Sequence, residues 1–232
     1  LQPGRWIWDL RQEPPNLQVA AARAAALPCR RILALGTDMS VGKMSAALEL
    51  TSAARQRGLD ARFVATGQAG ILIAGAGIAL DAVRVDYAAG AVEQAVLTTA
   101  EGAGPEALLL VEGQGSFCHP GSSASLPLLR GSQPTGLLLV HRAPQESIRN
   151  LPAVAIPPLA QVIATCEALA ALALPRGAIA PRVEAIALNT ALLSPAAAEE
   201  AIAQTAALTG LPCADAVRGG AGFLLEALLA GP

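Results

Sequence analysis

The segment Gly36-Thr37-Asp38-Met39-Ser40-Val41-Gly42-Lys43 constrains this chain more than any other. It follows a short apolar run, Arg31–Leu35. It opens a stretch, Lys43–Arg57, that carries Ala46, Ala47, Leu50 and Ala54 on one helical face before Gly58. Strand, glycine-rich loop and helix, with a lysine as the helix begins, is the context of a P-loop. Its backbone N–H groups and the positive end of the helix hold phosphate, and the lysine sits over it. The run from Gly36 to Gly42 is one residue longer than the standard motif, whose first glycine falls on Thr37. The chain has fifteen arginines but only one lysine, and that lysine is Lys43.

Apolar strands and helical periods alternate beyond the loop. Strands are expected at Asp60–Ala65, Ala107–Glu112, Leu137–His141, Glu184–Leu188 and, briefly, Pro212–Ala214. Helices are expected at Tyr87–Ala100, Leu159–Leu172, Ala196–Leu208 and near Phe223–Leu229, with one turn at Leu126–Arg130. Gly67–Gly77 is glycine-rich and apolar and reads as loop, and Gly113–Ser125 as a polar loop. Continuous apolar strands between helices mean an α/β fold, a mostly parallel sheet with helices on both faces.

Residues 1–28 differ in texture. Trp6, Trp8, Pro14 and Pro15 precede an Ala-rich stretch, Leu17–Leu27, that reads as a short helix. The expected organisation is a linker or tail of a missing N-terminal domain over 1–28 and a P-loop α/β domain over 29–232. The first residue, Leu1, is not methionine, which fits a truncated or processed chain.

Hydrophobic residues make up 53% and mean hydropathy is +0.47. Much of that is alanine, and the longest apolar stretch, Ile71–Leu80, runs about ten residues where a membrane span needs roughly 20. A net charge of −2 with no basic block gives nucleic acid or an anionic membrane nothing to bind. Cys29, Cys118, Cys166 and Cys213 lack metal-ligand spacing and fit free thiols in a reducing compartment, the cytoplasm.

Ligands of parallel sheets bind at the carboxyl ends of the strands. That rule gathers Gly36–Lys43, Thr66–Gly70, Glu112–His119, His141–Arg142 and Asn189 on one rim. The residue after a P-loop lysine is normally Ser or Thr, whose hydroxyl holds Mg²⁺. Here it is Met44, a poor ligand for a hard cation. Ser45 comes next but is rotated by about 100° around the helix. Glu112 can hold Mg²⁺ through water, act as a base, grip an ammonium or brace its loop. His119 is a candidate acid or base, or a loop histidine bonded to backbone; His141 is a weaker candidate. Asn189 can read an adenine edge or cap a turn. Thr66, Gln68, Gln114 and Ser116 stand on the substrate side, or brace their loops.

Gly36-Thr37-Asp38, Val41-Gly42-Lys43 and Val111-Glu112-Gly113 resemble dethiobiotin synthetase and its P-loop superfamily. A second likeness spans nearly the whole chain. Ile7-Trp8-Asp9, Gly36–Leu50, Phe63-Val64-Ala65-Thr66-Gly67-Gln68, Glu112-Gly113-Gln114-Gly115-Ser116, His119-Pro120 and Ala187-Leu188-Asn189-Thr190 resemble the C-terminal domain of the D-glutamate N-acetyltransferase family. That domain was long catalogued as one of unknown function. The resemblance implies a P-loop NTPase-like fold of the dethiobiotin synthetase type and acetyl-CoA-dependent transfer to an amino acid, D-glutamate. It also implies a smaller preceding domain and a family pattern that includes Met44. The chain departs from the family at Gly121-Ser122-Ser123, where an aromatic tends to follow His-Pro, and at Arg130, near which a histidine is usual.

The expected activity is therefore an N-acetyltransferase whose P-loop holds the pyrophosphate of acetyl-CoA. Met39, Ser40 and the other residues from Gly36 to Ser45 would serve the phosphates and Asn189 the adenine. Glu112 or His119 would be the base, with amides of Gly113–Ser116 facing the developing oxyanion. The alternative is an ATP-dependent ligase or kinase using Mg²⁺ held by Asp38 and Glu112. A non-catalytic nucleotide-binding module is the third class, disfavoured because the switch ATPases of this superfamily carry a second lysine where Thr37 stands. The partners implied are a small-molecule substrate, further copies in a homo-oligomer and the missing N-terminal domain.

Overall fold

Strand β1 (Arg30–Gly36) is buried along nearly its whole length and lies inside a six-stranded sheet. With β2 (Ala61–Val64), β3 (Leu108–Val111), β4 (Gly136–Arg142), β7 (Val183–Asn189) and β8 (Cys213–Ala214) it forms the order β2-β3-β1-β4-β7-β8. Every pairing is parallel. The computed structural model describes residues 4–231.

Alternation along each strand divides the core in two. Ile32, Ala34, Leu108, Leu110, Leu138, Val140, Ala185 and Ala187 face α1 (Lys43–Gln56) and α7 (Ala221–Ala230). The predicted stripe of α1, Ala46, Ala47, Leu50 and Ala54, is fully buried there. Leu33, Leu35, Leu109, Val111, Leu137, Leu139, Ile186 and Leu188 face the other side. That side is covered by α3 (Val85–Thr99), α4 (Ser125–Ser132), α5 (Leu159–Ala171) and α6 (Pro195–Thr209). The start of α6 is written in the sequence: Ser194 caps the Ala197 amide at 3.3 Å and Pro195 follows it.

Two local expectations are corrected and one element is new. Gly67–Gly77 is not a loop throughout, because Gln68–Ala74 forms α2. Its glycines punctuate the helix instead of dissolving it. Gly75 closes it at φ 79°, and Gly70 is needed inside it because a Cβ there would lie 2.3 Å from Glu112 Oε2. Leu17–Leu27 is not one helix but an irregular segment with a single 3-10 turn, Arg23–Ala26. There the Gln18 carbonyl rests against Gly90 of α3, where a Cβ would meet it at 1.7 Å, and buried Glu93 takes the amides of Ala21 and Arg23. Tertiary contact outweighs alanine's helical preference. The segment after β4 forms an unforeseen antiparallel hairpin of β5 (Ser147–Ile148) and β6 (Leu151–Ala155), turned by Asn150 at φ 65°.

Of the arm expected over residues 1–28, the first three lie outside the described residues. Trp6 and Trp8 are exposed, while Ala24 is fully buried in the core. Among the described residues, no helix is long and apolar enough to cross a membrane.

Candidate functional site: a P-loop between two clefts

β1 delivers Gly36 to the centre of the rim, beside β4, and the Thr37 amide continues the ladder to the Val140 carbonyl at 3.1 Å. The loop then turns through Ser40, at φ 56°, and Gly42, at φ 114°, into α1. Two side chains from neighbouring strands hold its outer carbonyls. Arg142 donates to the Ser40 carbonyl, and Asn189 donates to the Val41 carbonyl at 2.8 Å. These two residues pair directly across β4 and β7. In a planar trans peptide, a carbonyl pulled one way sends the next N–H the other way. The amides of Val41 and Gly42 are thereby turned away from the β4–β7 side.

Lys43 is buried, with its stem in a slot between two glycines. A Cβ at Gly36 would lie 2.9 Å from its Nζ, and one at Gly113 only 2.8 Å from its Cδ. Its ammonium donates to the Asp38 carbonyl at 2.8 Å. Burial pushes the ammonium down to about 8, with the charges of Asp38 and Glu112 opposing the shift. Met44 packs partly against the core of the α1 face, whereas Ser45 lines a cleft beside Asn189. Neither supplies the hydroxyl that follows the lysine in a magnesium-dependent P-loop.

The buried Asp38 carboxylate accepts from the amides of Met39 (2.6 Å) and Arg149 (2.7 Å) and the side chain of Gln145 (2.7 Å). It ties the loop to the β5–β6 hairpin. Glu112, at the end of β3, accepts from the amides of Thr66 (2.8 Å) and Gly67 (3.1 Å) through Oε2. Burial raises its carboxyl above the usual range, against the pull of those two amides, the Gln114 side chain and Lys43. Thr37 shares a 2.8 Å hydrogen bond with His141 Nδ1, and burial drops that imidazole to about 4, so it is neutral at pH 7. Among the described residues, no group of three or more His, Cys, Asp or Glu side chains is placed to hold a metal ion.

The P-loop separates two clefts. The first, of about 270 Å³, runs from Gly42, Ser45 and Ala46 to Ala187, Leu188, Asn189, Ala191 and the turn Asp215–Arg218. The second, of about 340 Å³, lies between Met39, Thr66 and Gln114 on one side and Asp81, Val85 and Ser122 on the other. Each has the capacity of one part of a large ligand.

Thr66 and Gln114 therefore share the second cleft, although the Thr66 hydroxyl is also bonded to the Glu112 carbonyl at 2.7 Å. Gln68 turns to Asp81 at 3.1 Å. Ser116 is buried: its hydroxyl takes the Cys118 amide at 3.0 Å, and its own amide donates to Ser122 at 3.0 Å. His119 is held in its own turn by the Gly121 amide at 3.0 Å. Asn189 spends its amide nitrogen on the loop and its oxygen on the Ala191 amide at 3.0 Å.

Sequence reasoning missed Asp215, which ends β8 on the same rim and fastens the first cleft. Although burial pushes its carboxyl upward, the hydroxyl and amide of Thr190 and the amides of Arg218 and Val217 outweigh that and hold it below the ordinary range. The strand-end rule that found Glu112 and Asn189 would have found it.

Residues 18–225 match a family described as "Domain of unknown function (DUF1611_C) P-loop domain". The chain belongs to the DUF1611 family. A crystal structure of a DUF1611 family protein from Anabaena variabilis superposes with a TM-score of 0.94 at 55% identity, covering 100% of this chain and 66% of that one. Two curated relatives are named D-glutamate N-acetyltransferase. The one from Tritonibacter scottomollicae is 36% identical over 98% of this chain and 66% of its own length. The one from a Pseudoalteromonas species is 35% identical over 92% and 62%. The chain thus spans slightly less than two thirds of the length of these relatives. The signal recognition particle 54 kDa protein of Aeropyrum pernix shares the P-loop fold at a TM-score of 0.50 and 16% identity, over 96% of this chain and 50% of that one.

Proposed function

We propose that this DUF1611 chain binds acetyl-CoA and takes part in N-acetylation of an amino acid, with D-glutamate, the substrate named for its relatives, as acceptor. The observation that carries the reading is a P-loop whose lysine is followed by no hydroxyl. Met44 replaces the hydroxyl ligand, and the Asp38 carboxylate is already engaged by three donors. Lys43 and the Val41 and Gly42 amides remain to hold a pyrophosphate.

In this reading the adenine lies in the first cleft, against Ala46, Ala187, Leu188 and Ala216. Asn189 serves it indirectly, by bracing the loop. The second cleft takes the acceptor beside Thr66 and Gln114. Acetyl-CoA supplies an activated acyl carbon. Transfer forms a bond from the acceptor nitrogen to that carbon, breaks the carbon–sulfur bond and leaves a thiolate that collects a proton. In this reading Glu112 takes the amine proton: its Oε2 is held by two amides, and a carboxyl raised by burial is a stronger base than a free one. His119 is the less favoured base, since its Nδ1 already accepts a hydrogen bond.

Calorimetric titration tests this. Acetyl-CoA should bind with an affinity that EDTA changes by less than about twofold, or roughly 0.4 kcal/mol. Tenfold tighter binding of ATP with Mg²⁺, and none of acetyl-CoA, would transfer the site to an ATP-dependent ligase.

A further inference from the structure

Arginines elsewhere in the described chain are commonly paired: Arg11, Arg23, Arg30, Arg57, Arg62, Arg84 and Arg182 each meet a carboxylate. Arg5, Arg31, Arg55, Arg130, Arg149 and Arg176 do not, and neither do two arginines at the P-loop rim. Among the described residues, neither Arg142 nor Arg218 forms an ion pair, and both lean on backbone carbonyls instead. Arg142 reaches the loop at Ser40. Arg218 reaches the Thr190 and Leu193 carbonyls through Nη2, at 3.2 and 2.9 Å. Arg218 is also the one cation lining the first cleft, which Gly42 and Ser45 line as well.

The nearest acid to it in sequence, Asp215, does not neutralise it. That carboxylate is engaged by the Thr190 hydroxyl and by the amides of Thr190, Val217 and Arg218 itself. A guanidinium tethered through one nitrogen keeps its other N–H groups in a planar fork suited to phosphate. A cleft lined both by Gly42 of the P-loop and by an uncompensated guanidinium fits a nucleotide whose sugar carries a second phosphate besides its 5′ chain.

We propose that Arg218 binds the 3′-phosphate of a coenzyme A thioester and so selects a nucleoside 3′,5′-bisphosphate over ATP-type nucleotides. This rests on the acetyl-CoA reading above and adds to it a residue that distinguishes ligands. Mg-ATP has no phosphate to offer Arg218. The ADP portion of coenzyme A carries an additional dianionic phosphate at the ribose, while its pyrophosphate occupies Lys43.

The test compares coenzyme A with dephospho-coenzyme A by calorimetry on the whole chain. The wild-type protein should bind coenzyme A at least about tenfold more tightly, as a charge-assisted contact to phosphate implies. Arg218→Ala should erase that preference while keeping dephospho-coenzyme A within about twofold of wild type, which also reports an intact fold. Arg218→Gln retains a donor for the Thr190 and Leu193 carbonyls but not the charge, and should behave the same way. A preference that persists in both variants, or is absent in the wild type although both ligands bind, overturns the role of Arg218 and leaves the acetyl-CoA reading standing. Failure of the wild type to bind either ligand, with ATP bound instead, overturns both.

Discussion

Lys43→Met separates what the lysine does for the ligand from what it costs the fold. The methionine keeps an unbranched stem for the slot beside Gly36 and Gly113 and removes the ammonium. In the folded protein burial lowers that ammonium from its ordinary 10.5 to about 8. The gap, 10.5 − 8, corresponds to on the order of 3 kcal/mol of disfavoured charge in the ligand-free protein. Losing the hydrogen bond to the Asp38 carbonyl returns about 1 kcal/mol. The ligand-free variant should therefore be more stable than wild type at pH 7 by about 2 kcal/mol, a rise of roughly 4–8 °C in Tm for a chain of this size. The sign fixes a pH window. Because the folded-state value lies below the unfolded one, the penalty is fully present below pH 8 and is relieved as pH rises toward 10.5. Wild type should thus gain on the variant over that interval. Phosphate ligands should bind the variant more weakly by roughly 1.5–3 kcal/mol. Urea unfolding at pH 7 and pH 10, with calorimetry at pH 7, checks all three effects. A variant less stable at pH 7, with an unchanged pH profile, would refute the buried-charge argument.

Three further outcomes follow from the same geometry. Glu112→Gln keeps an oxygen for the Thr66 and Gly67 amides, so turnover should fall by about 10²–10⁴-fold with acetyl-CoA affinity nearly unchanged; steady-state kinetics would show a rise in KM alone if Glu112 only holds substrate. His141, depressed to about 4, costs stability as pH falls from 6.5 toward 4, because only the unfolded chain gains the proton; His141→Asn should flatten that acid limb in pH-dependent unfolding. Gly90→Ala places a methyl carbon 1.7 Å from the Gln18 carbonyl and should free the arm from α3, read as faster amide exchange at Ala21 and Arg23 with slow exchange retained in β1 and β4.

The sheet was legible because its strands are buried on both faces and carry uninterrupted apolar runs: Leu108–Val111 needed no context to be recognised. The P-loop was legible because strand, loop, lysine and helix stand side by side in sequence. What escaped depends on partners far along the chain. Gly70 looks like a helix breaker until Glu112 Oε2 is seen against it, and the Ala-rich stretch before Leu27 looks helical until Gln18 is laid against Gly90. Asp38, Ser116 and Asn189 sit on the rim as expected, but their polar atoms are engaged by residues as distant as Arg149, Ser122 and Val41. Side-chain type does not reveal such commitments. Arg218 belongs to no motif, and only the return of the chain after β8 brings it to the cleft.

The proposed reaction is metal-free acyl transfer from acetyl-CoA to an amino acid at this P-loop. The most direct measurement is thiol release when the protein, acetyl-CoA and D-glutamate are mixed in EDTA, with the N-acetyl product followed by mass spectrometry. The account predicts thiol and N-acetyl-D-glutamate in equal amounts, lost in Lys43→Met and Glu112→Gln. No thiol release, together with ATP turnover that requires Mg²⁺, would contradict it.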